Sequence, residues 1–374
     1  MTPEPSLSAS RKDDHLRLAA EQAAAPPARN DFDDVEFLHH ALDGVDEQRV
    51  SLATRVGPWT WPVPLYLNGM TGGTETAERV NRALAIAARE TGIPLASGSV
   101  GIALDDPAAA GGFRVIREEN PDGFVMANIG AGRGPDDARR AVDLLGADAL
   151  QLHVNPVQET VMPEGSRDFS SWPAAVEAVI AASPVPVIVK EVGFGLSRRT
   201  LARLADMGAT IADVSGSGGT DFAAIENARR AGGGFSQLAG YGQSAVACLL
   251  DAPASGPQLL ASGGVRGPLD VARSLALGAR AAGVAGAFLR TALEGDAETA
   301  VAAAHDWIVR LRGVLALLGA ASPSDLARTD LLLRGRVREF CDLRGIDAGA
   351  FARRADPLPP STAPGEGPAP RRTM

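Results

Sequence analysis

The chain has 374 residues, 45% hydrophobic and 22% charged, with 36 Lys and Arg against 45 Asp and Glu for a net charge of −9. A pI near 5.2 excludes broad attraction to nucleic acid, so an anionic ligand has to be held by a local cluster of cations. No long apolar run or signal-like start is present, and Cys248 and Cys341 suit neither a disulfide framework nor a CxxC site, which together read as a reducing, cytoplasmic setting.

In chain order, residues 1–30 read as a mobile N-terminal arm, because 19–30 is rich in Ala and Pro with almost no large apolar side chain. Residues 31–62 precede the first strand and are expected to pack across the barrel described next. Eight strand-like runs follow at 64–70, 94–99, 124–129, 149–155, 186–192, 211–215, 258–263 and 281–286. Their starts lie about 31 residues apart, a βα period. Between them, 75–91 and 268–277 carry apolar residues at three- and four-residue spacing, and Ser197 is placed to cap a helix beginning at Arg198. Runs apolar on both faces imply a parallel sheet covered by helices. Eight such units favour an α/β fold of the closed (β/α)8 TIM-barrel type, with an open doubly wound sheet as the alternative. A helix over 297–318 closes the barrel and 323–351 adds a helical cap, so the barrel domain spans 31–356 and the Pro-rich 357–374 is expected to be disordered.

On such a barrel the loops at the C-terminal strand ends carry function. Ser262-Gly263-Gly264-Val265-Arg266 before a helix at Pro268 suits a phosphate, since glycines admit backbone N–H groups and the helix N-terminus adds its dipole. Ser217-Gly218-Gly219-Thr220 can add donors from strand six. One phosphate monoester, with Lys190 rising from strand five, points to a flavin mononucleotide whose electron-rich pyrimidine edge lies near the lysine. The alternative for Lys190 is a strand-end salt bridge to Glu191. His153 and Asn155, two apart on a strand, face the same side. In the loop after them, Glu159 is either a solvated carboxylate or a hard donor for magnesium, which needs few protein ligands when a phosphate supplies the rest. Arg11-Lys12-Asp13-Asp14-His15 is either a diphosphate clamp or a solvated basic pair.

These residues resemble the type 2, flavin-dependent isopentenyl-diphosphate isomerases. The likeness covers about residues 10 to 350 and joins Arg11 to His15, Phe37-Leu38-His39-His40-Ala41-Leu42, Met70-Thr71-Gly72-Gly73, His153-Val154-Asn155 with Gln158-Glu159, Val189-Lys190-Glu191-Val192-Gly193, Asp213-Val214-Ser215 with Gly218 to Asp221, and Ser262 to Arg266. The resemblance implies a barrel binding FMN, assembled as a homo-tetramer or homo-octamer and working with reduced flavin and magnesium, with NADPH as the flavin reductant. It implies flavin contacts at Met70, Thr71, Gly72, Ser99, Asn128, Lys190, Ser215, Thr220, Gly264, Arg266, Ala285 and Gly286. It implies substrate contacts at Arg11, Lys12, His15 and Gln158, and Glu159 as the magnesium ligand. The chain departs from the pattern at Gly98-Ser99-Val100-Gly101, where many relatives carry an Arg shortly after the Gly-Ser, leaving the clamp one cation short.

The implied reaction interconverts isopentenyl and dimethylallyl diphosphate in isoprenoid biosynthesis, adding a proton at C4 and removing one at C2 with no net redox change. It needs an acid able to protonate an alkene and a base on the right face. Cys248 falls in an expected helix and Cys341 in the C-terminal region, so reduced flavin N5 is the expected proton carrier, with Gln158, His153 and Asn155 as catalytic residues beside it. A 2-hydroxy-acid oxidase on the same barrel would want a His base beside an Arg near strand six or seven, and Asp213 to Asp221 holds neither. A silent flavin- or phosphate-binding protein would have no use for the Gln158-Glu159 pair.

Overall fold

The eight expected strands form one closed parallel barrel in a computed structural model that describes residues 7–25, 28–69, 72–230 and 234–356. The expected disorder of 357–374 lies outside the described residues. The strands are Leu65–Leu67, Leu95–Ala96, Val125–Gly130, Ala149–His153, Val187–Lys190, Ile211–Asp213, Gln258–Ser262 and Ala282–Val284, and the last pairs back on the first with Gly283 opposite Tyr66. That closing pair excludes the open sheet. Registered neighbours in a parallel sheet share a side, and Asn128 lies beside Gln151, His153 beside Lys190, and Lys190 beside Asp213. The polar strand ends are thereby gathered at one mouth.

The opposite end is plugged by the hairpin of Thr54–Val56 and Trp59–Trp61. Val56 and Trp61 are buried among Met126, Ile188, Ile211 and Leu260. Gly57, at φ 53°, turns so close over Ile211 that a Cβ would stand 2.6 Å from its Cδ1. Truncating a buried aromatic such as Trp61 costs roughly 3–5 kcal/mol, so this plug is a large share of the stability of a single domain.

The flanking helices begin and end where the sequence allows. Thr74 accepts from the Ala77 amide to start Glu75–Thr91, which stops at Gly92 with φ 72°. Ser197 caps Arg198–Asp206 through the Thr200 amide, and Pro268 opens Pro268–Ala276. Ala297–Leu317 packs between the first and seventh barrel helices. The expected helical cap over 323–351 is only partly helical. Its Leu331–Leu333 is a strand paired antiparallel with Val35–Phe37, between the turn Pro323–Arg328 and the helices Gly335–Arg344 and Ala348–Phe351. A short leucine run suits helix or strand alike, and here a partner some 300 residues upstream decides it.

The N-terminal arm also differs from expectation. Leu7–Ala24 is an 18-residue helix docked on Gly286–Glu294, with Leu16 and Ala19 buried. Alanine is the strongest helix former, so the composition that reads as low complexity here provides a helix able to lie close to its neighbours. Among the described residues no helix is long and apolar enough to cross a membrane.

Candidate active site

The C-terminal mouth holds a cavity of about 1060 Å³ bounded by the βα loops and roofed on one side by the N-terminal helix. Its first wall is a glycine cradle between loops six and seven. A Cβ on Gly263 would stand 1.8 Å from the Gly216 carbonyl oxygen, and one on Gly219 would stand 2.6 Å from the Gly264 nitrogen. Gly218, Gly263 and Gly264 also have φ of 108°, 92° and 79°, where side chains are strained. Asn30 Nδ2 donates to the Gly264 carbonyl at 2.9 Å and braces the cradle from outside. Arg266 lines the cavity, but its guanidinium is shared by Asp33 at 2.7 Å and Asp270 at 2.9 Å, and these hydrogen bonds raise its pKa further.

The floor is Lys190. The residue is 5% exposed, and its ammonium donates to the Glu191 backbone carbonyl at 2.7 Å. The expected alternative, a salt bridge to the Glu191 side chain, is absent, because that carboxylate accepts from the Val192 and Phe194 amides at 2.6 Å each. Burial lowers the Lys190 pKa, while the Asp213 carboxylate opposes the drop. Asp213 itself accepts from Tyr66 at 2.5 Å, Ser262 at 2.9 Å and the Ser215 amide at 3.1 Å. Ser215 is the one non-glycine residue with positive φ among the described residues, at 37°, a strained geometry at the cavity edge.

A buried ammonium, a glycine cradle open to an anion, and the unpartnered Asn68 Oδ1 at the cavity wall fit a flat, polar-edged ring that carries a phosphate. Ser99, Asn128, Thr220, Ala285 and Gly286 also line this space. Gly72 does not: a Cβ there would fall 2.0 Å from the Phe113 ring, so it serves packing behind the wall. Met70 and Thr71 lie outside the described residues.

The third component descends from the roof. Arg11, Lys12 and His15 share one face of the N-terminal helix and all reach the cavity. Arg11 meets Glu164 at 3.5 Å, Lys12 Nζ meets the Ser99 carbonyl at 3.5 Å, and His15 Nε2 meets Glu226 at 2.8 Å. Burial, reinforced by Arg11, lowers the Lys12 pKa to about 8. Opposite them, Gln158 and Glu159 sit on the short helix Pro156–Val161 rather than in a loop. Asn155 Nδ2 donates to Gln158 Oε1 at 3.1 Å and Glu159 Oε1 at 3.3 Å, and Gln158 Nε2 donates to Glu226 at 3.1 Å.

Residues 133–333 match the family described as FMN-dependent dehydrogenase. A protein of Kitasatospora griseola named isopentenyl-diphosphate delta-isomerase is 58% identical over 348 residues, covering 93% of this chain and 96% of the relative. One of the same name from Streptomyces sp. (strain CL190) is 54% identical over 94% of this chain and 97% of its own, and one from Staphylococcus haemolyticus (strain JCSC1435) is 42% identical over 90% and 97%. The chain belongs to the isopentenyl-diphosphate delta-isomerase family. The FMN-dependent dehydrogenase match agrees with the flavin-linked, type 2 form of this isomerase. Among solved structures, a mandelate oxidase mutant with (S)-mandelic acid superposes with a TM-score of 0.63 at 20% identity, covering 87% of this chain and 94% of that one. At that identity the likeness carries the barrel alone.

Two residues of this isomerase-family site have no motif to announce them. Glu226, fully buried on Phe222–Arg229, joins His15, Gln158 and Arg229. Burial would raise its pKa, but the hydrogen bond from His15 and the others that follow outweigh this and lower it. The second is Arg133. Its guanidinium stands 3.1 Å from where a Gly101 Cβ would be, so a cation does stand beside Gly101, sent from the next loop and paired with Asp105 at 2.5 Å and Asp137 at 3.1 Å.

Proposed function

We propose that the chain interconverts isopentenyl and dimethylallyl diphosphate by a 1,3-allylic proton shift, with reduced FMN and magnesium. One observation supports this most strongly: a single buried carboxylate, Glu226, joins the cationic roof through His15 to Gln158, which faces the flavin-type floor. Diphosphate recognition and alkene placement are thereby mechanically linked. Arg11 and Lys12 supply charge-assisted hydrogen bonds to the diphosphate, whose remote binding energy positions the alkene. Glu159 would offer magnesium one hard oxygen ligand, and the diphosphate oxygens would supply others. Gln158 has no useful pKa and acts by orientation, its oxygen held by Asn155 and its nitrogen by Glu226, whose carboxylate is the titratable group within reach of a relayed proton. Lys190 presents a cation to the pyrimidine edge of the ring. Bound and reduced, the flavin supplies the proton-exchanging N5 centre, and NADPH serves only to charge it.

The cytoplasmic setting and the homo-tetramer or homo-octamer belong to the same reading. Leu42 and Leu317, 97% and 60% exposed in segments joined by the Val45 amide to Ala316 carbonyl bond, are large apolar side chains that a second copy would cover. Anaerobic incubation of FMN-loaded protein with isopentenyl diphosphate, magnesium and NADPH should yield dimethylallyl diphosphate with far less than one NADPH oxidised per product. Stoichiometric NADPH oxidation, or oxidation of a 2-hydroxy acid without isomerisation, would overturn the proposal in favour of an oxidoreductase.

A further inference from the structure

Below His153 the barrel interior contains a polar chain that runs down to the apolar cluster of Met126, Ile188 and Ile211. Gln151, with no exposed surface, donates through Nε2 to the Met126 sulfur at 3.8 Å. Asn128 Nδ2 donates to Gln151 Oε1 at 3.0 Å, and Asn128 Oδ1 meets His153 Nδ1 at 2.8 Å. The direction of this chain follows from its deepest member. A thioether can only accept, so Gln151 turns its NH2 to the sulfur and its oxygen to Asn128. Asn128 therefore spends its NH2 on Gln151 and leaves its carbonyl oxygen for the imidazole, which has to donate. Reversing the chain would set the Gln151 oxygen against the sulfur lone pairs where no water can intervene.

We propose that Met126, Gln151 and Asn128 form a one-way relay of positioning residues that holds His153 as the neutral Nδ1–H tautomer, with Nε2 presented as a hydrogen-bond acceptor at the cavity wall. Burial first and then the Lys190 and Lys12 cations push the ring's pKa down to about 3, against a backbone hydrogen bond at Ile129 that favours the charged form. Nε2 lies against Gly130, where a Cβ would come within 3.2 Å. The ligand atom that meets Nε2 then carries a hydrogen, as an N–H, an O–H or a bound water does. An anionic phosphate oxygen is turned away from His153 towards Arg11 and Lys12. This deepens the reading of the cavity as a flavin and diphosphate site and rests on it for that consequence, while the tautomer itself does not depend on turnover.

The test is nitrogen NMR of FMN-loaded protein with labelled histidines, the His153 signals being those lost in His153→Gln. Wild type should show a protonated Nδ1 and an unprotonated Nε2 at neutral pH. Met126→Leu keeps the volume but removes the acceptor, and Gln151→Leu cuts the chain at its middle. Each should shift the ratio of the two tautomers towards Nε2–H by about fivefold or more, with flavin absorbance retained. A wild-type Nε2–H tautomer overturns the relay without any variant, and so does an unchanged ratio in either folded variant. Loss of isomerase activity with the wild-type Nδ1–H signal intact counts against the functional reading and leaves the relay standing.

Discussion

Raising the pH above about 8 should weaken diphosphate binding through Lys12. This lysine is 8% exposed, and burial with the neighbouring Arg11 takes its pKa from 10.5 to about 8. The difference amounts to about 3 kcal/mol in favour of the neutral amine in the unliganded protein. A diphosphate restores the ammonium by replacing lost hydration with charge-assisted hydrogen bonds. Below about pH 8 the cation is already present and affinity stays level. Above it each binding event takes up a proton, so the apparent association constant falls by up to about tenfold per pH unit. The unliganded protein responds with the opposite sign. A folded pKa below the unfolded one favours the neutral lysine, so this residue adds stability as pH climbs from about 8 towards 10.5. His15, whose pKa burial lowers below 6.5, titrates outside that window. The assay is calorimetric titration of FMN-loaded protein with isopentenyl diphosphate and magnesium from about pH 7 to 9.5. Lys12→Met should bind weakly with no break, and Lys12→Arg should carry its affinity past the break. Wild-type affinity that stays level to about pH 9.5 would refute the reasoning.

Glu159→Gln should raise the magnesium requirement about tenfold with flavin still bound, and an unchanged magnesium titration would place the ligand elsewhere. Gln158→Leu removes both ends of the bridge from Asn155 to Glu226, so turnover should fall roughly 100-fold while magnesium-dependent substrate binding persists; a normal rate would reduce Gln158 to packing. In Gly263→Ala the new methyl would meet the Gly216 carbonyl at 1.8 Å on a backbone with φ of 92°, so the variant should lose flavin and about 3 kcal/mol or more of stability. Unaltered flavin absorbance and melting temperature would show that loops six and seven do not interlock.

All eight barrel strands were legible because a buried parallel strand is apolar on both faces, and short apolar runs ending in Gly or polar residues at a βα period fit few other architectures. Ser197 and Pro268 were legible because their chemistry is local. What the sequence hid is what depends on distance. Leu331–Leu333 becomes a strand only because Val35–Phe37 awaits it, and the Trp59–Trp61 hairpin is too short to register as a period. Glu226 looks like any helix carboxylate until the fold brings His15, Gln158 and Arg229 around it. Arg133 was hidden for a related reason, since the sequence shows only that no Arg follows Gly98-Ser99, and the guanidinium beside Gly101 comes from the loop after strand three.

The helix that roofs the mouth precedes every barrel strand in the chain, yet its seat is among the last parts to form. His15 finds Glu226 across 211 positions of sequence, and its main platform, Gly286–Glu294, belongs to the eighth barrel unit. A growing chain therefore presents Arg11, Lys12 and His15 to solvent for most of its synthesis, with no wall to stand against. No barrel strand pairs with this helix, so the strand ladder closes without it. Under the proposed function, the diphosphate site is therefore complete only after the eighth barrel unit has folded and seated this helix.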